Sequence, residues 1–367
     1  MRTPVEDLAR QGQSPWVDYL SRPFLREGGL DRLVGQGVLG VTSNPTIFQG
    51  AMAKGQAYDD QLREVLREHD DPKEIFLALA VEDIRAACDR LRPVFERSGS
   101  RRDGWVSLEV DPRLAYDTAA TVAEAVRLHE LVARPNLMVK IPGTEPGLPA
   151  IEETVARGVP VNVTLLFSLR RHRHAAEAYL RGLRRFLATG GDPHRMASVA
   201  SFFVSRVDTE ADRRLRESGG HEDLLGTLAV ANARLAYRTF LEVFDGPEWT
   251  DLAAAGAAPQ WCLWASTSMK DETRPDVFYV EQLIGPETVV TMPPETVDAF
   301  VDHGVVADRL AGGMAEADRT LERFANAGVD YDDVVAVLER EGVEKFSTAY
   351  RELSEGIAAK RDHLRTV

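Results

Sequence analysis

The chain has 367 residues, enough for one large α/β domain or two ordinary ones, and its 44% hydrophobic content supplies a substantial core. A formal net charge of −14 at pH 7 argues against nucleic acid or an anionic membrane surface as the main partner. No apolar run approaches bilayer-spanning length, and the opening "MRTPVEDLARQGQSPW" lacks the apolar stretch of a signal peptide, so the expected location is cytoplasmic.

Short β-branched runs alternate with helical patterns along the chain. In order, the candidate strands are "WVDYL" from Trp16, "VLGVT" from Val38, "WVSLEV" from Trp105, "NLMVKI" from Asn136, "VPVNVTLLF" from Val159, "ASVASFFVS" from Ala197, "QWCLWAS" from Gln260 and "TVVTMP" from Thr288. Each suits a parallel strand covered on its outer face. Between them, the segments from Asp117 and Gly226 repeat apolar residues at three- and four-residue spacing. Asp71 and Pro72 make an N-cap and first helical position, and Gly304 closes "PPETVDAFVDHG". Eight strands alternating with helices predict a single (β/α)8 barrel. A doubly wound open sheet is the alternative, but no GxGxxG or GxxxxGK[ST] follows the first strand. Residues 1–15 read as an N-terminal extension, and about 305–367 as helices packed on the barrel within one domain spanning 1–367.

Barrel active sites gather at the C-terminal strand ends. The polar residues there are Asp18, Thr42 with Ser43 and Asn44, Glu109 with Asp111, Lys140, Asn162 with Thr164, Ser201 and Ser266. Any one of them could be a locally satisfied hydrogen-bonder; seven strands ending this way weaken that explanation. Lys140, one of six lysines, interrupts the apolar run Leu137, Met138, Val139, Ile141. Loss of hydration disfavours its charged form, and a neutral amine can attack a carbonyl to form a Schiff base. A buried Lys–Glu pair is the plainer alternative. Schiff-base chemistry also needs a proton shuttle, for which Asp18 and Glu109 are the candidate carboxylates.

An acidic protein taking a small phosphorylated substrate needs local cations. Arg206, just past "SFFVS", and Lys270 in "STSMKD" are the candidates, at neighbouring strand ends. His172 and His174, two apart on a helix, point to different faces, and no HExxH or Cys/His cluster suggests a metal. Cys88 and Cys262 read as free packing thiols.

At this point the sequence resembles the transaldolases, most closely the longer, actinobacterial type. "GVTSNPTIF" (Gly40–Phe48) is similar to one family signature and "NLMVKIPGT" to the one around the Schiff-base lysine. "VNVTLLFS", "SFFVSRVD", "WASTSMKD" and "YVEQLIGPETVVTMP" follow in family order. The resemblance implies transfer of a dihydroxyacetone unit from sedoheptulose 7-phosphate or fructose 6-phosphate to erythrose 4-phosphate or glyceraldehyde 3-phosphate. This is a step of the non-oxidative pentose phosphate pathway, needing no cofactor or metal, in a monomer or homodimer. By matched position it makes Lys140 the Schiff-base lysine and Asp18 the acid/base at the C4 hydroxyl. The resemblance likewise implies a barrel of the class I aldolase type in which Glu109 and Thr164 would hold the dehydration water, Ser43, Asn44, Asn162 and Ser201 would contact substrate, and Arg206 would bind phosphate. Where shorter members carry a second phosphate arginine, this chain offers Lys270, a point charge without the bidentate fork. An aldolase releasing free dihydroxyacetone and a catalytically silent sugar-phosphate sensor are the competing functions.

Overall fold

The computed structural model describes residues 2–53, 56–98 and 101–366. Eight strands form where the sequence predicts them: β1 (Gln13–Asp18), β2 (Gly40–Thr42), β3 (Val106–Glu109), β4 (Leu137–Pro142), β5 (Val161–Leu166), β6 (Ser198–Phe203), β7 (Gln260–Ala265) and β8 (Thr288–Met292). Each pairs in parallel with the next and β8 returns to β1, so the sheet closes into a barrel and the open-sheet alternative falls. Helices between the strands complete a (β/α)8 architecture.

Strand alternation sorts the side chains. Val17, Val41, Leu108, Val139, Ile141, Val161 and Val163 are fully or almost fully buried between barrel and helices. Burying each such side chain contributes about 1.5–3 kcal/mol. The alternate set faces the barrel interior, with Trp16 one layer below Asp18. Gly40 is Trp16's register partner, and a Cβ there would lie 2.5 Å from the indole ring. The glycine is what lets the ring fit.

β1 begins three residues ahead of Trp16. Gln13 and Ser14 belong to the strand because their side-chain donors are satisfied: Gln13 Nε2 donates to Leu283 O and Thr288 Oγ1, and Ser14 Oγ donates to Asp103. Ahead of it, helix Pro4–Arg10 is closed by a capping box between Thr3 and Glu6 and packs on β1 and on helix Pro294–His303.

Asp71 caps helix Pro72–Arg97 as predicted, and Asp117, where the second helical pattern begins, caps helix Thr118–Val132. Near the C-terminus, Gly312 and Gly313 sit at a short 3-10 turn, and the helix that follows starts at Met314. The last helix, Tyr331–Thr366, packs on helix Pro45–Ala53 after β2, the turn Pro112–Leu114 after β3 and helix Ser205–Ser218 after β6. All three follow strand C-termini, so this helix lies across the C-terminal end of the barrel. At Gly342 an added Cβ would approach Leu165 Cδ2 to 3.0 Å, which shows how closely the helix meets the end of β5. Among the described residues no helix is long and apolar enough to cross a membrane.

Two predictions follow from this packing. Gly40→Ala forces the Trp16 ring or its strand to move, at an expected cost of roughly 1–3 kcal/mol in a urea titration. Asp208, buried, accepts from Ala229 N at 2.7 Å and Tyr279 Oη at 2.8 Å, tying helix Ser205–Ser218 to helices Leu228–Phe244 and Phe278–Gln282. Burial pushes its carboxyl up to about 7, so the folded chain holds a proton that the unfolded chain releases above about pH 4. This part of the stability is complete below pH 4 and is lost as pH rises to 7. Asp208→Asn should flatten the pH dependence of unfolding free energy over that window, by up to roughly 4 kcal/mol.

Candidate active site

Lys140 occupies the interior face of β4 and is 4% exposed. Its register partner on β3 is Glu109, and its Nζ lies 3.2 Å from Glu109 Oε2 while donating a 3.0 Å hydrogen bond to the Ser43 carbonyl. Neither Glu109 oxygen receives an aligned hydrogen bond from a described residue, so the carboxylate keeps acceptor capacity beyond the ion pair. Thr164 Oγ1 is likewise buried without a partner among the described residues. Buried polar atoms of this kind call for a ligand or water.

Asp18, the last residue of β1, accepts from Thr42 Oγ1 at 2.7 Å, and Thr42 Oγ1 lies 3.0 Å from Thr291 Oγ1 of β8. Burial raises the Asp18 carboxyl above its ordinary range, against the lowering effects of Lys140, the Thr42 hydrogen bond and Arg206. Burial also raises Glu109, against Lys140, and the charge of Asp18 adds to the rise. Two carboxylates and two cations, Lys140 and Arg206, thus share one buried cluster whose charges cancel when all four are ionised.

A cavity of about 270 Å3 opens onto this cluster, lined by Asp18, Asn44, Lys140, Thr164, Ser201 and Arg206 among others. Six sequence-predicted residues therefore meet in one place. Three others stand behind the lining. Glu109 reaches the cluster through Lys140. Asn162 donates to Ser107 Oγ at 3.0 Å and accepts from Ser201 Oγ at 2.7 Å, so it orients Ser201. Ser43 donates to the Ser107 carbonyl and holds Lys140 through its own carbonyl. Asn44 caps the turn after β2 by accepting from Ile47 N at 3.0 Å, which leaves its amide nitrogen for the cavity.

Arg206 lies in the first turn of helix Ser205–Ser218, directly after β6. Its guanidinium stands over the rings of Phe203 at 5.1 Å and Phe346 at 5.9 Å and makes no hydrogen bond or ion pair with a described residue. Burial lowers it, opposed by Asp18, Glu109 and Glu341.

Lys270 does not join them. After β7 ends at Ala265 the chain turns through Ser266 in left-handed conformation (φ 57°), and Lys270 is exposed in a neighbouring hollow with Asp208, Asp212 and Arg274. Lys345, on the last helix, lines the Lys140 cavity instead. Sequence reading missed it because "GVEKF" is ordinary amphipathic helix. It also passed over the Thr42–Thr291 link, which joins residues 249 apart. Asp111 serves structure, paired with Arg113 at 2.6 Å, and His172 is a buried ring edge-on to Phe202.

Known proteins are similar to this chain along nearly its whole length. A family model described as Transaldolase/Fructose-6-phosphate aldolase matches residues 15–357. The chain is 50% identical over 368 residues to a protein named Transaldolase from Acidothermus cellulolyticus, covering 100% of this chain and 99% of that one. It is 50% identical over 352 residues to a Transaldolase from Thiobacillus denitrificans (95% and 98% covered), and 49% identical over 358 residues to Transaldolase 1 of Streptomyces avermitilis (96% and 94% covered). With a family model spanning most of its length and relatives at half identity along nearly all of theirs, the chain belongs to the transaldolase/fructose-6-phosphate aldolase family.

Proposed function

We propose that this enzyme is a transaldolase that moves a dihydroxyacetone unit between sugar phosphates through a Schiff base on Lys140. The observation that carries this reading is a lysine inside the barrel whose amine faces a polar cavity, with Glu109 at 3.2 Å and Asp18 in the same charge cluster.

Lys140 passes its proton to Glu109, 3.2 Å away, and the neutral amine attacks C2 of fructose 6-phosphate or sedoheptulose 7-phosphate to give a carbinolamine. Glu109 and Thr164, with their unused hydrogen-bonding capacity, hold the water through which that hydroxyl is protonated and lost. Asp18 then takes the C4 hydroxyl proton. The C3–C4 bond breaks, its electron pair enters the iminium to give an enamine, and the aldose phosphate leaves. Erythrose 4-phosphate or glyceraldehyde 3-phosphate enters and the steps reverse. Asn44 and Ser201, the latter oriented by Asn162, bind the hydroxyls of the bound fragment, Ser43 positions the lysine, and Arg206 binds phosphate. The reading takes residues 1–367 as one catalytic unit in the cytoplasm, serving the non-oxidative pentose phosphate pathway.

Borohydride reduction in the presence of fructose 6-phosphate should leave a three-carbon adduct on Lys140, read by peptide mass mapping, and none in Lys140→Met. No adduct, or one on another lysine, would sink the mechanism. Asp18→Asn should still form the imine but not cleave, so the trapped adduct becomes six-carbon and turnover falls by roughly 10²–10⁴. Because Asp18 acts as a base and burial raises it, the acid limb of kcat/KM should lie above the ordinary carboxylate range. Free dihydroxyacetone produced without acceptor would make the enzyme the aldolase of the same family.

A further inference from the structure

The wall of the cavity opposite Lys140 carries a second unpaired cation. Lys345 lines the same cavity as Arg206, and its neighbour Phe346 lies under the Arg206 guanidinium. Like Arg206, Lys345 makes no hydrogen bond or ion pair with any described residue. Glu341, one turn earlier on the same helix, does not come within ion-pairing distance of it. In a chain of net charge −14, Asp18 and Glu109 already balance Lys140 and Arg206, so Lys345 is a surplus cation beside Arg206 with no carboxylate bonded to it among the described residues. Their mutual effect is visible: the charge of Arg206, then burial and the charge of Lys270, hold the Lys345 ammonium below its ordinary value. Ser266 and Ser268 line the same wall, and Arg206 opens the 14-residue helix Ser205–Ser218, whose N-terminal dipole also favours an anion.

We propose that Lys345 is the second phosphate-binding cation of this enzyme, so that the C-terminal helix, lying outside the eight barrel units, supplies part of the substrate site. The proposal rests on the reading of Arg206 as the donor's phosphate ligand. Arg206 presents a planar fork, while Lys345 presents a point charge on a flexible stem. Together they neutralise a dianion that the protein's overall field repels. The helix is held for this task by its close approach at Gly342 and by Tyr350, whose ring stacks under Arg113 at 4.9 Å and meets Phe76 edge-on at 5.6 Å. Lys345 is a specificity residue: it recognises the phosphate and takes no part in bond making.

The test uses the full chain with Lys345→Gln and Lys345→Arg. Lys345→Gln should raise KM for fructose 6-phosphate roughly ten- to a hundredfold, the loss of one charge-assisted contact. Its kcat should stay within about twofold, and KM for unphosphorylated fructose should not move. Lys345→Arg should restore most of the affinity. Inorganic phosphate binding to the unliganded protein, measured by titration calorimetry, should weaken in Lys345→Gln by a similar factor. That measurement does not depend on turnover, so it judges Lys345 even if borohydride traps nothing on Lys140 and the transaldolase reading itself fails. Unchanged phosphate binding, or a KM for fructose that rises in step with that for fructose 6-phosphate, overturns the proposal.

Discussion

A lysine and a glutamate placed side by side on neighbouring strands, both nearly sealed from water, set the terms for the rest of this molecule. Removing two charges from water costs several kcal/mol per ion unless they are paired and hydrogen-bonded. Here Glu109 and the Ser43 carbonyl serve Lys140, and Ser43 is itself held by Ser107. Asp18 and Arg206 complete the balance. Each charge is tolerable because the others are present, and closure of the barrel is what brings four strand ends together around them.

That closure has a second consequence. A barrel end left open would bathe the cluster in water and weaken each electrostatic contact within it. The last helix crosses that end, with Phe346 against Arg206 and Gly342 close to Leu165. Lys140, Arg206 and Lys345 line the cavity beneath it against Asp18 and Glu295, so the site is locally less negative than the chain of net charge −14 as a whole.

The eight strands were legible because parallel barrel strands are short, apolar on both faces and separated by helices of regular period. Lys140 was legible for the same reason, as a charge where the pattern allows none. Partners were harder to read. Nothing near Lys140 in sequence names Glu109, 31 positions away, as its neighbour; the register Glu109↔Lys140 does. Ser43 and Asn162 carry side-chain types suited to substrate contact, yet their hydrogen bonds are taken by Ser107 and Ser201, and they act one step behind the surface. Lys270 was misplaced because spacing after a strand does not reveal a turn at Ser266 that carries the chain outward.

By itself, then, the sequence determined the element order, the burial of one lysine and the family, since hydrophobic period, turn residues and long ordered motifs are local properties of the chain. Tertiary structure alone decided which charges meet, which end of the barrel the C-terminal helix covers, and that Lys345 rather than Lys270 faces Arg206. Those outcomes depend on register, barrel closure and helix docking, in which residues hundreds of positions apart come within a few ångströms, and no local pattern encodes such distances.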